Sequence, residues 1–242
     1  MARKPARSKA RPPTSGSTPR AASTPREKII AAFMALLAEK SIETLGLAEI
    51  AERADVSLAD LRGEFASPLA ILAAHVKQLD RQVLAGSDPD MAEEDPRERL
   101  FDVLMRRLEL LAPHKEAVRS LLRSTRRDPP LALALNAMTV RSQQWMLTAA
   151  GIRASGPKGM LRAQGMALLF ANVLRIWVDD DDDQTKTLAA LDNQLARGQR
   201  FAGLLDELCR IPEAACAFRE RLRSARRSDR NGRDEEEDRA TA

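Results

Sequence analysis

Apolar residues recur along most of the chain at intervals of three and four, which is the period of a helix with one buried face. The first such run comprises Ile29, Ile30, Phe33, Leu36 and Leu37. Thr24, Pro25 and Glu27 precede it with the residue types of an N-cap, a first-turn proline and a capping-box carboxylate. The pattern therefore predicts a helix that begins at Pro25 and ends near residues 39–41.

Two short helices with a three-residue turn between them are predicted next. Leu47, Ile50 and Ala51 give one apolar side to residues 47–54, and Leu58, Leu61 and Phe65 do the same for a helix that follows. Ser57 with Asp60 three residues later is a capping-box-like start for that helix. This spacing is typical of a helix-turn-helix. Ser67 and Pro68 then predict the start of a fourth helix.

The remainder of the chain also has helical periodicity and no alternating strand pattern. Helix starts are predicted at Pro96, Pro113, Pro129 and Pro157, followed by a long helix over about residues 185–210 and a last one from Pro212. The expected fold is all-α. It comprises an N-terminal three-helix helix-turn-helix unit followed by an antiparallel helical domain.

Four segments are expected along the chain. Residues 1–23 are rich in Pro, Ser, Thr and Arg without apolar periodicity, so they are predicted to form a disordered basic arm. Residues 24–85 form the expected DNA-binding domain. Residues 95–224 form a second helical domain, whose expected ligand-binding and dimerisation roles are implied by a family resemblance, and residues 225–242 form a disordered charged tail.

Composition narrows the cellular setting. Hydrophobic residues make up 44% of the chain but aromatic residues only 3%, which suits packed aliphatic helices. Two cysteines are too few for a disulfide framework. The basic N-terminus has no apolar signal region after it, and no run of eighteen apolar residues occurs. These observations predict a cytoplasmic protein without a transmembrane segment.

The net charge of +4 is unevenly distributed. Residues 1–28 carry eight basic residues and one acidic residue, a net of +7, which leaves about −3 for the rest. Residues 29–72 carry three basic and seven acidic residues, a net of −4. We call residues 29–72 the reading unit. Because non-specific DNA affinity comes from neutralising phosphates, an acidic reading unit needs positive charge from elsewhere, and the arm is the available source.

The helix-turn-helix stretch resembles the DNA-binding domain of TetR/AcrR transcriptional repressors. The resemblance rests on Ile50, Ala51, Ala54, Val56, Ser57, Leu61, Phe65 and Ser67. It implies a homodimer on a palindromic operator in double-stranded DNA. Together with the basic arm, it gives a predicted set of DNA contacts, namely Arg20, Arg26, Lys28, Thr44, Ser57, Leu58, Ala59, Arg62 and Ser67.

Several positions depart from the family pattern. Leu45 stands where a Thr is usual, Asp55 where the turn usually has Gly, and Pro68 where a phosphate-contacting Lys is usual. In the recognition helix the usual Gly, Tyr and His are replaced by Ala59, Arg62 and Glu64. Arg62 has a fork able to read a base edge, and a salt bridge to a neighbouring acid is the equally open alternative.

Residues 97–208 show a second, patchy resemblance, to ubiquinone-biosynthesis accessory proteins that bind lipid on a TetR-like fold. It is carried by residues 111–119, residues 128–135, Trp145, residues 174–179 and residues 191–195. It implies an apolar cavity for a small hydrophobic ligand, an isoprenoid or acyl compound. The residues predicted to line it, with ordinary core packing as the alternative, are Leu104, Leu108, Met138, Trp145, Met146, Met166, Phe170 and Trp177.

The same helices are expected to form a dimer interface. Small and apolar residues permit close packing there, and the predicted contacts are Gly165, Ala171, Leu188 and Leu195. Phosphate loops, nucleophile elbows and two-His zinc motifs are missing from the sequence, so neither an enzyme nor a cofactor is expected. His75 and His114 are interpreted as singletons, and the acidic run at residues 179–183 as a solvated loop rather than a metal site.

Two functions remain open from the sequence. One is a transcriptional regulator released from DNA by a hydrophobic ligand, which the basic arm favours. The other is a lipid-binding accessory protein that no longer binds DNA, which the acidic reading unit favours.

Overall fold

The computed structural model describes residues 24–86, 89–181, 183–200 and 203. Every regular element in these residues is helical, which confirms the predicted all-α class. The α-helices are α1 (Pro25–Glu39), α2 (Leu47–Arg53), α3 (Leu58–Glu64), α4 (Pro68–Ala85), α5 (Pro96–Leu111), α6 (Lys115–Ser124), α7 (Pro129–Ala149), α8 (Gly156–Trp177) and α9 (185–200). Three short 3₁₀ turns also occur, at Ile42–Thr44, Pro89–Glu93 and Ala112–His114.

The helix starts follow the capping signals of the sequence. The hydroxyls of Thr24, Ser57 and Ser67 each accept a hydrogen bond from the backbone N–H three residues later. The carboxylate of Asp128 does the same for Leu131 at the start of α7. These side chains satisfy backbone donors that a helix leaves unpaired at its N-terminus.

Two helix starts differ from this capping pattern. The side chain of Asp95 makes no capping hydrogen bond, although α5 begins at Pro96 as expected. Pro113 lies within the 3₁₀ turn Ala112–His114, and α6 begins only at Lys115. The predicted arm (1–23), the predicted tail (225–242), the predicted helix from Pro212 and the predicted end of the helix over residues 185–210 lie outside the described residues.

The N-terminal core joins α1, α2, α3 and the first half of α4. Its largest fully buried side chains are Ile29, Phe33, Leu37, Ile50, Leu61 and Ile71. Ala117 of α6 and Leu131 of α7 complete it from the other part of the molecule. The helix-turn-helix unit is therefore packed directly against α6 and α7.

A second core lies among α5, α7, α8 and α9. Its most buried members include Leu104, Leu108, Met146, Phe170, Trp177 and Leu191. Helix α4 belongs to both cores, because Ile71 and Leu72 lie in the first while Leu79 and Val83 lie in the second. One continuous helix thus connects the reading unit to the C-terminal core.

Two side-chain bonds fix α6 against the reading unit. The Ser120 hydroxyl donates to the carbonyl of Lys40 at 2.8 Å. The Ser124 hydroxyl donates to the Glu43 carboxylate at 3.0 Å. Among the described helices, none is long and apolar enough to span a bilayer.

Candidate nucleic-acid interface and ligand core

The turn of the helix-turn-helix is a tight helix ending. The N–H of Val56 donates to the carbonyl of Ala51 at 3.1 Å, the long-range bond of a Schellman motif. Between them Asp55 has a φ of +54°, the left-handed conformation that favours Gly. Asp is tolerated there because its short polar side chain can bond locally. The substitution at Asp55 therefore leaves the turn intact.

The Ser57 hydroxyl holds the start of α3. It accepts from the N–H of Asp60 at 3.0 Å and donates to the Asp60 carboxylate at 2.6 Å. This hydrogen bond from the Ser57 side chain lowers the pKa of Asp60. Because the hydroxyl proton is already donated, Ser57 could reach a phosphate only after rearranging this cap.

The outward surface of α3 carries three of the predicted DNA contacts. Leu58, Ala59 and Arg62 are exposed, whereas Leu61 is buried and anchors the helix to the core. Leu58 is 56% exposed, which is high for a large apolar side chain. Three of the predicted contact residues thus lie together on one accessible face.

Most basic side chains of the reading unit form ion pairs with acidic side chains of the same unit. Lys40 pairs with Glu49, and Arg53 pairs with Glu39. Arg62 has no ion-pair partner among the residues that the structure describes, so the structure does not show the alternative of a salt bridge to a neighbouring acid. Of the three basic residues between positions 29 and 72, Arg62 is the one presented without a described acidic partner.

Arg26, which was predicted to contact DNA, pairs within the chain. Its guanidinium lies 3.1 Å from the Glu64 carboxylate and 4.6 Å from the centre of the Phe65 ring. It therefore connects the first turn of α1 to the end of α3. Sequence analysis missed this contact because nothing local relates residues thirty-eight positions apart.

The other predicted DNA contacts are dispersed around the unit. Lys28 is exposed and lines a groove beside the turn, together with Asp55 and Ser57. The Thr44 hydroxyl donates to the carbonyl of Ser41 at 2.9 Å, and Ser67 caps α4. Arg20 lies outside the described residues.

Six of the eight predicted ligand-core residues share one buried cluster. They are Leu104, Leu108, Met146, Met166, Phe170 and Trp177. Trp145 is 57% exposed, so its predicted place in this interior is wrong. Adjacent helix residues point about 100° apart, and Met146 takes the inward direction. Met138 is half-buried and packs against the N-terminal core instead.

A buried polar cluster borders this core. Arg107 pairs with Asp80, to which the Ser142 hydroxyl also donates at 2.7 Å, and its guanidinium lies 5.4 Å from the centre of the Phe170 ring. Burial lowers the pKa of Arg107, while the Asp80 carboxylate opposes that shift. The helical register places Arg107 on the same face as Leu104 and Leu111, which is the sequence signal that could have identified it.

The neighbouring Gln143 is an unusual core residue. Its side chain is fully buried, and neither its amide oxygen nor its amide nitrogen has a hydrogen-bond partner among the described residues. A buried amide without partners carries a desolvation cost that a polar ligand atom would offset.

The predicted dimer residues divide between surface and core. Gly165 is exposed, Leu188 is 38% exposed and Ala171 is half-buried. Leu195 is buried in the chain's own core, four residues after Leu191 on the same face of α9, so its predicted interface role is wrong. The structure adds exposed leucines on α8 that the sequence analysis did not name, Leu161 and Leu168.

The acidic run after α8 includes a structural carboxylate. Asp180 is buried and accepts hydrogen bonds from the backbone N–H and hydroxyl of Thr187, at 2.7 and 2.6 Å. The Thr187 hydroxyl lowers the pKa of Asp180. Within the described residues no cluster of His, Cys, Asp and Glu side chains could hold a metal ion.

Solved structures with a similar fold include TetR-family transcriptional regulators. A TetR transcriptional regulator from Nitrosomonas europaea superposes with a TM-score of 0.58 at 20% identity, over 73% of this chain and 99% of that one. One from Rhodococcus sp. RHA1 gives a TM-score of 0.52 at 21% identity, over 72% and 95%. No protein-family model matches the sequence, and no significantly similar curated protein was found.

Proposed function

We propose that this chain, which has the fold of TetR-type regulators, is a DNA-binding transcriptional regulator of the repressor kind that responds to a small hydrophobic ligand. The observation that carries the proposal is Arg62, which is exposed on α3 without a described acidic partner. Leu58 and Ala59 flank it on the accessible face. A guanidinium fork beside apolar groups suits a guanine edge next to a thymine methyl.

Positive charge for the phosphates would come from outside the reading unit. Lys40 and Arg53 are paired with acids, and Arg26 is paired with Glu64. Residues 1–23 contribute six basic residues, including Arg20, and no acid. Lys28 is exposed beside the turn. The arm and Lys28 would therefore supply most of the salt-dependent affinity.

Dimerisation would occur through α8 and α9. Leu161 and Leu168 are 49% and 61% exposed, and Gly165 lies on the same side of α8 between them. Two large apolar side chains around a glycine form a surface on which a second helix can pack closely. Leu188 of α9 would extend this surface, and a two-fold axis there implies a palindromic operator.

The ligand would enter the C-terminal core near Phe170 and Trp177. The apolar walls favour a hydrophobic body, and the unpartnered amide of Gln143 favours a polar group at one end. Helix α4 belongs to this core and to that of the reading unit. A shift of α4 on ligand binding would therefore alter the position of α3.

The second candidate is a lipid-binding accessory protein without DNA binding. The ion pairs that hold Arg26, Lys40 and Arg53 favour it, because they leave an acidic unit with few free cations. It shares the apolar core with the first candidate and differs in the reading unit.

A titration with genomic DNA fragments at two salt concentrations separates the two candidates. A regulator should bind most tightly to fragments that share a palindrome, and its affinity for DNA should fall steeply as the salt concentration rises. Arg62→Ala should reduce the preference for those fragments by about 1–3 kcal/mol. Arg53→Ala is the matched control, because Arg53 is paired and should affect the preference little. Salt-independent or undetectable DNA binding by intact protein would contradict the regulator.

A further inference from the structure

A cavity of about 170 Å³ lies where the reading unit meets the rest of the molecule. Helix α1 contributes Glu27, Ile30, Ala31 and Met34, and α4 contributes His75, Gln78, Leu79 and Gln82. Leu110 and His114 close it from the end of α5 and the 3₁₀ turn. It shares no lining residue with the predicted ligand set, although Leu79 belongs both to its wall and to the core around Phe170 and Trp177.

The cavity has a buried floor and a polar mouth. Ile30, Met34 and Leu79 are buried, whereas Gln78 and Gln82 are exposed. A ligand could therefore enter from solvent between two amides and bury its apolar part. Cavities of about 150 Å³ with apolar walls hold a benzene ring, so the space suits a molecule of about six to eight non-hydrogen atoms.

His75, which lines this cavity, has an unsatisfied polar atom. Its side chain is nine-tenths buried, and its Nε2 atom has no hydrogen-bond partner among the described residues. The His75 ring is held edge-to-face against His114, with centroids 4.8 Å apart. A buried ring nitrogen without a partner is a costly feature unless something binds to it.

We infer that this junction cavity is a second binding site, for a small neutral organic molecule carrying a hydroxyl group, such as an alcohol or a phenol. The hydroxyl bonds to His75 Nε2, and the hydrocarbon part contacts Ile30, Met34 and Leu79.

The chemistry of the site selects a hydroxyl over other groups. Burial, followed by the charges of His114 and Arg107, lowers the pKa of His75 to about 4, so the ring is neutral at pH 7. In a neutral imidazole either nitrogen can be the donor, and a hydroxyl both donates and accepts, so it pairs with either tautomer. An anion finds no positive charge on this ring, and Glu27 at the wall repels it.

The position of the site gives it a role in coupling, which rests on the proposed function. An occupant fills the space between α1 and α4 and restricts how one moves against the other. Helix α1 packs on α2 and α3, so the occupant stabilises one orientation of the reading unit.

The test uses phenol as the probe and toluene as its equal-sized counterpart without a hydroxyl. The chain has only two histidines, so two sets of imidazole signals appear in an NMR titration and a His114→Gln variant assigns them. Phenol should shift the His75 ring signals saturably and bind about 3- to 10-fold more tightly than toluene, the effect of one hydrogen bond.

Two variants identify the site. Ala31→Leu, at the exposed side of the cavity, should abolish the phenol shift while the protein stays folded. His75→Phe, followed through the His114 ring signals, should remove the preference for phenol over toluene, and Leu133→Ala, on the exposed face of α7, should change nothing.

Equal binding of phenol and toluene to the natural protein, unshifted ring signals, or an unchanged titration in Ala31→Leu would overturn the inference. No DNA is present in this experiment. The phenol titration therefore gives the same result whether or not the protein is a DNA-binding regulator. A negative phenol titration likewise leaves the regulator hypothesis untouched.

Discussion

Asp55 shows how one residue can be strained without disturbing the motif around it. Its φ of +54° costs a residue with a Cβ about 1 kcal/mol relative to glycine, and its charge lies at the C-terminal end of α2, where the helix dipole is also negative. We therefore expect Asp55→Gly to raise the free energy of unfolding by about 0.5–1 kcal/mol in urea denaturation. Asp55→Asn removes only the charge and should gain less. A glycine variant no more stable than the asparagine variant would contradict the conformational account.

His75 should make stability depend on pH. Its pKa is about 4 in the folded protein and about 6.5 when unfolded, so between these values the unfolded chain binds more protons. Stability should therefore be full above pH 6.5 and fall as the pH drops toward 4, by about 2 kcal/mol at pH 5. His114, whose pKa burial also lowers, acts in the same direction.

The matched comparison for this prediction is His75→Phe. It should lose less stability than the natural protein between pH 7 and pH 5, because the remaining change comes from His114 and the carboxylates. Urea unfolding at the two pH values measures the difference. Equal losses in the two proteins would show that His75 does not carry the effect.

At the scale of helices, α8 has two apolar sides. Its inner side contributes Phe170, Val173 and Trp177 to the core, and its outer side exposes Leu161 and Leu168. If the proposed dimer forms through α8, Leu168→Glu should convert it to a monomer in sedimentation equilibrium, because the change would place a carboxylate from each protomer in the proposed interface. Leu133→Glu, on the 71% exposed leucine of α7, is the control and should leave the dimer intact. A natural protein that is monomeric at micromolar concentration would contradict the proposed interface.

The helices themselves were accessible from sequence because their signals are local. Thr24, Ser57 and Asp128 act on backbone groups three residues away, so their patterns gave the starts of α1, α3 and α7. The side of each helix that is buried was less accessible. Trp145 and Leu195 were assigned by residue type, and the packing of α7 and α9 reversed both assignments.

The candidate sites depended even more on contacts between distant residues. The pair Arg26–Glu64 joins helices that only the tertiary fold brings together, and so does the pair Arg107–Asp80. His75 and His114 were interpreted as isolated residues, yet their rings are in contact across the junction cavity. No periodicity or spacing in the sequence predicts which of these distant residues are in contact.

At the scale of the whole molecule, most of the net positive charge and the exposed face of α3 lie in different parts of the chain. In the described reading unit Arg62 is exposed without a described acidic partner, whereas Lys40 and Arg53 are paired. The excess of basic over acidic residues in the sequence lies in residues 1–23. DNA affinity and DNA selectivity should therefore depend on different parts of the chain.

The most direct test of this account is DNA binding by the full chain and by a chain lacking residues 1–23, titrated with the same selected fragment at two salt concentrations. The deletion removes six basic residues and no acidic ones. We expect it to abolish most of the affinity and to flatten the salt dependence, while thermal unfolding stays unchanged. A truncated protein that binds the fragment as tightly as the full chain, with the same salt slope, would contradict the account.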